Sequence, residues 1–279
     1  MRIGGAIMKP WKTAGEYMQL VKEMGYSAVV FPVDSSAPET LIKELKARLQ
    51  DENILIGEVG IWKNLLDEDA SRQEEYLQYS IRQLELAEKV GANCCVNISG
   101  SRGKVWDGFH ADNYSRETRE RVIRLSQQIL DAVKPTHTSY SLEPMPWMTP
   151  DSPDDYLTLI REIDREAFRV HLDFCNMVNS LERYLHPEKL IHECFEKLGK
   201  SIVSIHIKDC LISDSVLPFA VSEVPVGKGS LPLSLVLHLA DQLGEDIPLF
   251  TEHLSTHEDY VYSTRYLRSL AQKEKLIFK

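Results

Sequence analysis

A short unit recurs along this chain and limits the folds open to it: an amphipathic helix ends on a glycine, and a β-branched run begins a few residues later. It occurs at Met24-Gly25 before Ser27–Phe31, at Val90-Gly91 before Cys94–Ile98, at Leu198-Gly199 before Ile202–Ile207 and at Leu243-Gly244 before Ile247–Glu252. A glycine just past a helix end can take the left-handed conformation that closes the helix and turns the chain onward. Reading the periodicity between these markers predicts eight strands. They fall near Ile3–Met8, Ala28–Phe31, Ile54–Val59, Cys94–Ser99, Thr138–Glu143, Phe168–Asp173, Ile202–Lys208 and Pro248–Glu252. A helical pattern follows each: in the fourth, Val122, Leu125, Ile129 and Val133 share one face. The fifth opens Ser152-Pro153-Asp154-Asp155, an N-cap, a first-turn proline and acids at the positive helix end. Eight βα pairs in 279 residues predict an α/β chain folded as a (β/α)8 TIM barrel, a single domain over residues 1–279. A doubly wound open sheet would want a Gly-rich phosphate turn after its first strand, and the sequence has none.

Charge narrows the partners. Lys and Arg number 32 against 42 Asp and Glu, a formal net charge of −10, which argues against nucleic acid or an anionic membrane. No apolar run approaches the ~20 residues of a membrane span, and Met1-Arg2-Ile3-Gly4-Gly5 carries no signal-peptide pattern. The five cysteines are odd in number and Cys94-Cys95 adjoin on a predicted strand, so the expectation is free buried thiols in a reducing cytoplasm. A chain of this length buries roughly three quarters of its unfolded surface and needs no disulfide to fold.

Side-chain parity picks out a site. Barrel strands alternate between residues that face the helices and residues that face the lumen. Tyr140 and Leu142 oppose Ser139, Ser141 and Glu143; Phe168, Val170 and Leu172 oppose Arg169, His171 and Asp173; Val203, Ile205 and Ile207 oppose Ser204, His206 and Lys208. In the eighth strand Phe250 and Glu252 share a parity, a less clean pattern. The apolar sets belong under the helices, so Glu143, Asp173, His206 and Glu252 point inward at successive strand C-termini, the face where such barrels carry their active sites. Their spacings of 30, 33 and 46 residues are each about one βα unit. Three carboxylates and an imidazole converging there would repel without a cation. The expected cofactor is therefore one divalent ion, Mn²⁺ favoured by mostly oxygen ligands, with Mg²⁺, Co²⁺ or Zn²⁺ also compatible.

The runs Ser141-Leu142-Glu143-Pro144, Val170-His171-Leu172-Asp173, Ser204-Ile205-His206-Ile207-Lys208-Asp209 and Leu249-Phe250-Thr251-Glu252-His253 resemble the xylose isomerase-like TIM-barrel superfamily. The similarity is to its sugar phosphate isomerase/epimerase group, which includes ketose 3-epimerases. It extends to Glu58-Val59-Gly60-Ile61-Trp62 and Val226-Gly227-Lys228-Gly229. The resemblance implies that Glu143, Asp173, His206 and Glu252 hold the metal and that Glu143 and Glu252 exchange the substrate proton. It also marks two departures. The ketose 3-epimerases place a substrate-contacting His where this chain has Asn176, and an Arg where it has Ile212.

The expected activity is thus a metal-dependent sugar isomerase or epimerase working through an enediolate, with a small-molecule sugar as partner and homo-oligomer formation left open. A lyase or dehydratase acting on a 3-keto-sugar or glycoside is the alternative. A non-catalytic sugar-binding subunit and an endonuclease-like phosphodiesterase complete the set. Expected substrate contacts are Glu58 and Trp62 at the end of the third strand, and Arg102, Trp106 and His110 in the long fourth βα loop. Trp147, Asn176 and Lys208 complete them. His171, one layer below Asp173, is expected to support the ligands, and His253 to face the helices.

Overall fold

The computed structural model describes residues 1–213 and 218–279. Among these, eight parallel strands make the barrel wall: β1 (Arg2–Gly5), β2 (Ala28–Val30), β3 (Leu55–Gly60), β4 (Cys94–Asn97), β5 (Ser139–Leu142), β6 (Val170–Asp173), β7 (Ile202–His206) and, after the hairpin β8 (Asp209–Ser213) and β9 (Ala220–Val224), β10 (Pro248–Thr251). They pair in two arcs, β1-β10-β7-β6 and β2-β3-β4-β5. Ser27 donates its backbone N–H to the Ile3 carbonyl at 2.9 Å, and Tyr140 bridges to Phe168. These two seams close the barrel.

The helices α1 (Ala14–Met24), α2 (Glu39–Asp51), α3 (Ala70–Val90), α4 (Arg116–Val133), α5 (Pro153–Ile163), α6 (Leu181–Leu185), α7 (Pro187–Leu198), α8 (Leu233–Asp241) and α9 (His257–Lys273) cover the strands. Their apolar stripes are buried: on α4, Val122, Leu125 and Ile129 face the core, and on α5 Ser152 caps the first turn by accepting from the Asp155 amide. Gly25 and Gly91 take the left-handed conformation (φ 67° and 78°). Gly199 does not: its φ is −46° and it starts a 3-10 turn into β7. Among the described residues, no helix is long and apolar enough to cross a membrane, and all five cysteines are free and buried.

Two features shape the lumen and its mouth. Phe250 fills the barrel interior, where a Cβ on Gly57 would lie 2.6 Å from its ring and one on Gly4 would also collide with it. Glu252 therefore shares the parity of a lumen residue, which accounts for the uneven pattern of the eighth strand. The β8–β9 hairpin is not expected from the sequence, which reads β7 as running to Lys208. Asp209 anchors it: Oδ2 accepts from the Gly227 and Gly229 amides at 3.0 and 2.9 Å, and Oδ1 from Cys210 and Leu231. A carboxylate that satisfies four amides holds a turn firmly, and here it pins the hairpin over the barrel mouth.

At the opposite rim, Glu88 of α3 accepts the backbone N–H groups of Thr136, His137 and Thr138 at 3.0–3.1 Å. Burial pushes its pKa up, but these amides and His137 outweigh burial and hold it below the usual glutamate range. A carboxyl with a depressed folded pKa stabilises the fold above its unfolded pKa and loses that contribution as the pH falls. Glu88→Ala is expected to cost about 1–2 kcal/mol at pH 7. The difference from wild type should shrink in urea melts below pH 4, and a constant difference would contradict this role.

Candidate metal centre and active site

Glu143 follows β5, Asp173 ends β6, His206 ends β7 and Glu252 follows β10. The barrel brings one ligand atom from each within 4.8 Å of the others. His206 Nδ1 lies 3.1 Å from Glu143 Oε1 and 2.9 Å from Glu252 Oε2. Asp173 is fully buried, Glu143 and His206 nearly so, and Glu252 opens toward the mouth with its side chain 21% exposed. Ligands around an ion at about 2.0–2.4 Å stand up to about 4–5 Å apart, so the spacing suits a divalent cation. Two of these oxygens, Asp173 Oδ2 and Glu252 Oε2, accept no hydrogen bond of acceptable geometry among the described residues. Buried carboxylate oxygens left this way call for a cation.

A cation from the chain is already there. Lys208 Nζ lies 2.8 Å from both Asp173 Oδ2 and Glu252 Oε2, 3.7 Å from Glu143 Oε1 and 3.5 Å from Glu223 Oε1 on the hairpin. Its side chain is 2% exposed. Burial opposes its charge, yet Asp173, Glu252, Glu143 and Glu223 outweigh burial and raise its pKa well above the ordinary value. His206 behaves alike: burial lowers its pKa, and Glu252, Glu58 and Glu143 drive it up. Glu143 moves upward through burial and the charge of Glu252. Glu252 moves well below the carboxylate range because His206 and Lys208 overcome its burial. Asn176 ties the ligands together, its backbone N–H donating to Asp173 Oδ1 at 2.9 Å and its Nδ2 to Glu143 Oε1 at 3.3 Å and the Pro144 carbonyl at 3.0 Å.

A second layer lies beneath. Glu58 of β3 is fully buried and meets His206 Nε2 at 3.4 Å, His171 Nδ1 at 3.2 Å and the Ser204 hydroxyl, which donates to Oε1. His171 packs edge-on against His206 with ring centroids 4.1 Å apart. A carboxylate on Nε2 leaves Nδ1 facing Glu143 and Glu252, the arrangement that orients a metal-ligating histidine. Burial works against the Glu58 charge, but the two imidazoles hold its pKa below the usual range.

The expected substrate contacts take varied positions. Glu58 is sealed below the ligands and contacts His206 instead. Arg102 turns toward Glu117 and Glu68, 3.8 and 4.0 Å away. His110 caps the turn Ala111–Tyr114, accepting the Asp112 amide on Nδ1. Trp106 is 38% exposed and makes no hydrogen bond or ring contact among the described residues. Trp62 folds back over Gly60, where a Cβ would strike its indole. Trp147 donates Nε1–H to the Asp107 carbonyl at 2.7 Å and lines a cavity of about 340 Å³ beside the ligands. Ile212 sits in β8, its amide on the Tyr184 hydroxyl. His253 does not face the helices. A φ of 55° turns it back over the site, 3.1 Å from Lys208 Nζ and 3.0 Å from Glu223. Strand parity does not extend through a left-handed residue, and Glu223 is carried on a hairpin the sequence does not announce.

A family model described as a xylose isomerase-like TIM barrel matches residues 18–270. No curated protein matches the sequence. Similar solved structures include a xylose isomerase-like TIM barrel protein from Mycobacterium smegmatis in complex with magnesium (17% identity, TM-score 0.69, 94% of this chain and 90% of that one). Another is the 3-keto-D-glucoside 4-epimerase from E. coli (17% identity, TM-score 0.69, 96% and 99%). Endonuclease IV from Thermus thermophilus is a third (14% identity, TM-score 0.74, 98% and 100%). At these identities the likeness establishes the fold.

Proposed function

Because this chain belongs to the xylose isomerase-like TIM barrel family, we propose that it is a divalent-metal-dependent isomerase or epimerase of a sugar or sugar derivative. The convergence of Glu143, Asp173, His206 and Glu252 carries this reading. These four would hold one ion, Mn²⁺ favoured by the three carboxylates, with Mg²⁺, Co²⁺ or Zn²⁺ compatible. A bound ion would supply Lewis-acid stabilisation of the negative charge that develops when a carbon beside the sugar carbonyl loses its proton. Lys208 would yield its oxygens to the ion, with Glu223 and His253 as its remaining partners.

Glu143 and Glu252 approach this point from β5 and β10, with β6 and β7 between them, so one carboxylate can remove the carbon-bound proton and the other return it. Positioned groups of this kind supply about 10²–10⁴-fold. Asn176 holds Glu143 and Asp173 in register, and Glu58, backed by Ser204 and His171, keeps His206 turned with Nδ1 to the ligands. Glu58→Gln is expected to weaken metal affinity about 10–100-fold without touching the ion. Calorimetric titration with Mn²⁺ checks it, and unchanged affinity would separate the lower layer from the metal. The five free buried cysteines support a reducing cytoplasm as the setting. The net charge of −10 supports a small-molecule substrate over a phosphodiester backbone.

Incubation with a panel of ketoses and keto-glycosides in D₂O tests the activity. Metal-dependent deuterium uptake at the carbon beside the carbonyl, with an isomeric product, is the expected result. Loss of a substituent to an unsaturated or hydrated ketone would identify the lyase reading, which runs through the same proton removal. Absence of exchange from metal-loaded protein would defeat both.

A further inference from the structure

Resting on that proposed reading, the cavity beside the metal ligands speaks to the rest of the substrate. Its volume of about 340 Å³ falls in the range of small-molecule pockets. Asn176, which touches Glu143, and Glu223, which touches Lys208, connect it to the reacting centre. Trp147, Phe219 and Val221 give it apolar and aromatic walls, and Asn179 adds a side-chain amide. None of the described residues lining it is a Lys, Arg or His. The β8–β9 hairpin and its connection, residues 209–224, likewise contain no basic residue but three acids, Asp209, Asp214 and Glu223. Lys208, at the edge, lies 3.5 Å from Glu223, which it would keep with a metal bound, and without metal it is also shared with Asp173, Glu252 and Glu143. Arg183 reaches Asn179 but commits Nη1 to that side chain and to the carbonyls of Asp151 and Met177.

We propose that this cavity takes the part of the substrate remote from the reacting carbon, and that this part is uncharged and bears an apolar or aromatic group. The substrate class is then a neutral glycoside-type sugar derivative, and sugar phosphates and sugar acids are selected against. An anion placed here would lie beside the Glu223 carboxylate, while the nearest cations, Lys208 and Arg183, stand outside the lining and are held by other groups, an unfavourable exchange for its hydration. Neutral hydroxyls find an acceptor in the Glu223 carboxylate. The rings of Trp147 and Phe219 suit stacking on a sugar face or on an aglycone.

Calorimetry with three probes tests this on the Mn²⁺-loaded protein and again after EDTA treatment: phenyl β-D-glucopyranoside, methyl β-D-glucopyranoside and glucose 6-phosphate. The phenyl glycoside should bind about tenfold tighter than the methyl glycoside, with the phosphate the weakest. Phe219→Ala, at a side chain nearly half exposed, should remove most of the phenyl advantage. Glucose 6-phosphate binding tightest, no measurable binding of the phenyl glycoside, or a phenyl advantage that survives Phe219→Ala would overturn the assignment. Phenyl selectivity without deuterium exchange would defeat the catalytic reading alone. Phosphate preference with exchange intact would defeat this one alone.

Discussion

Glu252→Gln and Glu143→Gln are each expected to lower kcat by about 10²–10⁴-fold, the scale of positioned proton transfer. The substitution keeps the shape of the side chain and removes its capacity to act as a base at neutral pH. At position 143 the amide oxygen can still accept from Asn176 Nδ2, which lies 3.3 Å from Oε1 in the native protein. At position 252 the side chain stands at the mouth and is 21% exposed. Both variants should therefore fold, with circular dichroism like wild type and part of the metal affinity retained through the amide oxygen. The kinetics belong on the substrate identified by deuterium exchange. A variant that keeps its metal and its kcat would remove that carboxylate from the proton pathway.

Lys208→Met carries the second large effect, and it acts on stability. The ammonium lies among Asp173, Glu252, Glu143 and Glu223 with almost no solvent contact. Deleting one partner of a buried ion pair commonly costs about 3–5 kcal/mol, because the remaining charge stays buried and unpaired. The EDTA-treated variant should lose about that much. A divalent ion would take over the same oxygens and restore stability by mass action, about 2.7 kcal/mol at a hundredfold excess over Kd. The metal-induced rise in Tm should thus be larger for Lys208→Met than for wild type. Equal Tm values without metal would show that Lys208 does not neutralise the cluster.

The barrel is legible because its signals are local and repeated: helix-ending glycines, β-branched runs and period-two alternation recur along the chain. The candidate ligands are legible for the same reason, since parity alone sends Glu143, Asp173 and His206 inward from short straight strands. What the sequence conceals depends on contacts between distant segments. The Glu58 carboxylate looks like any residue at a strand end, and only the closed barrel shows it lying under His206 from β3. Strand β7 stops at His206 because Asp209 recruits four amides into a hairpin, and Glu223 reaches Lys208 only through that hairpin. His253 escapes the parity argument because a left-handed residue breaks the alternation on which that argument stands. In the fourth βα loop, Arg102 and His110 have the side-chain chemistry of sugar contacts, but His110 caps a helical turn and Arg102 points toward Glu117 and Glu68.

The central claim is that four strand-end residues hold a single ion. Isothermal titration of EDTA-treated protein with Mn²⁺, run beside Asp173→Asn, tests it most directly. Asp173 is fully buried and its Oδ2 lies 2.8 Å from the Lys208 ammonium, a place that a bound ion would take over. One ion per wild-type chain and an affinity at least about 100-fold weaker in the variant are expected. Wild-type protein that takes up no ion, or an Asp173→Asn variant that binds as wild type does, would contradict it.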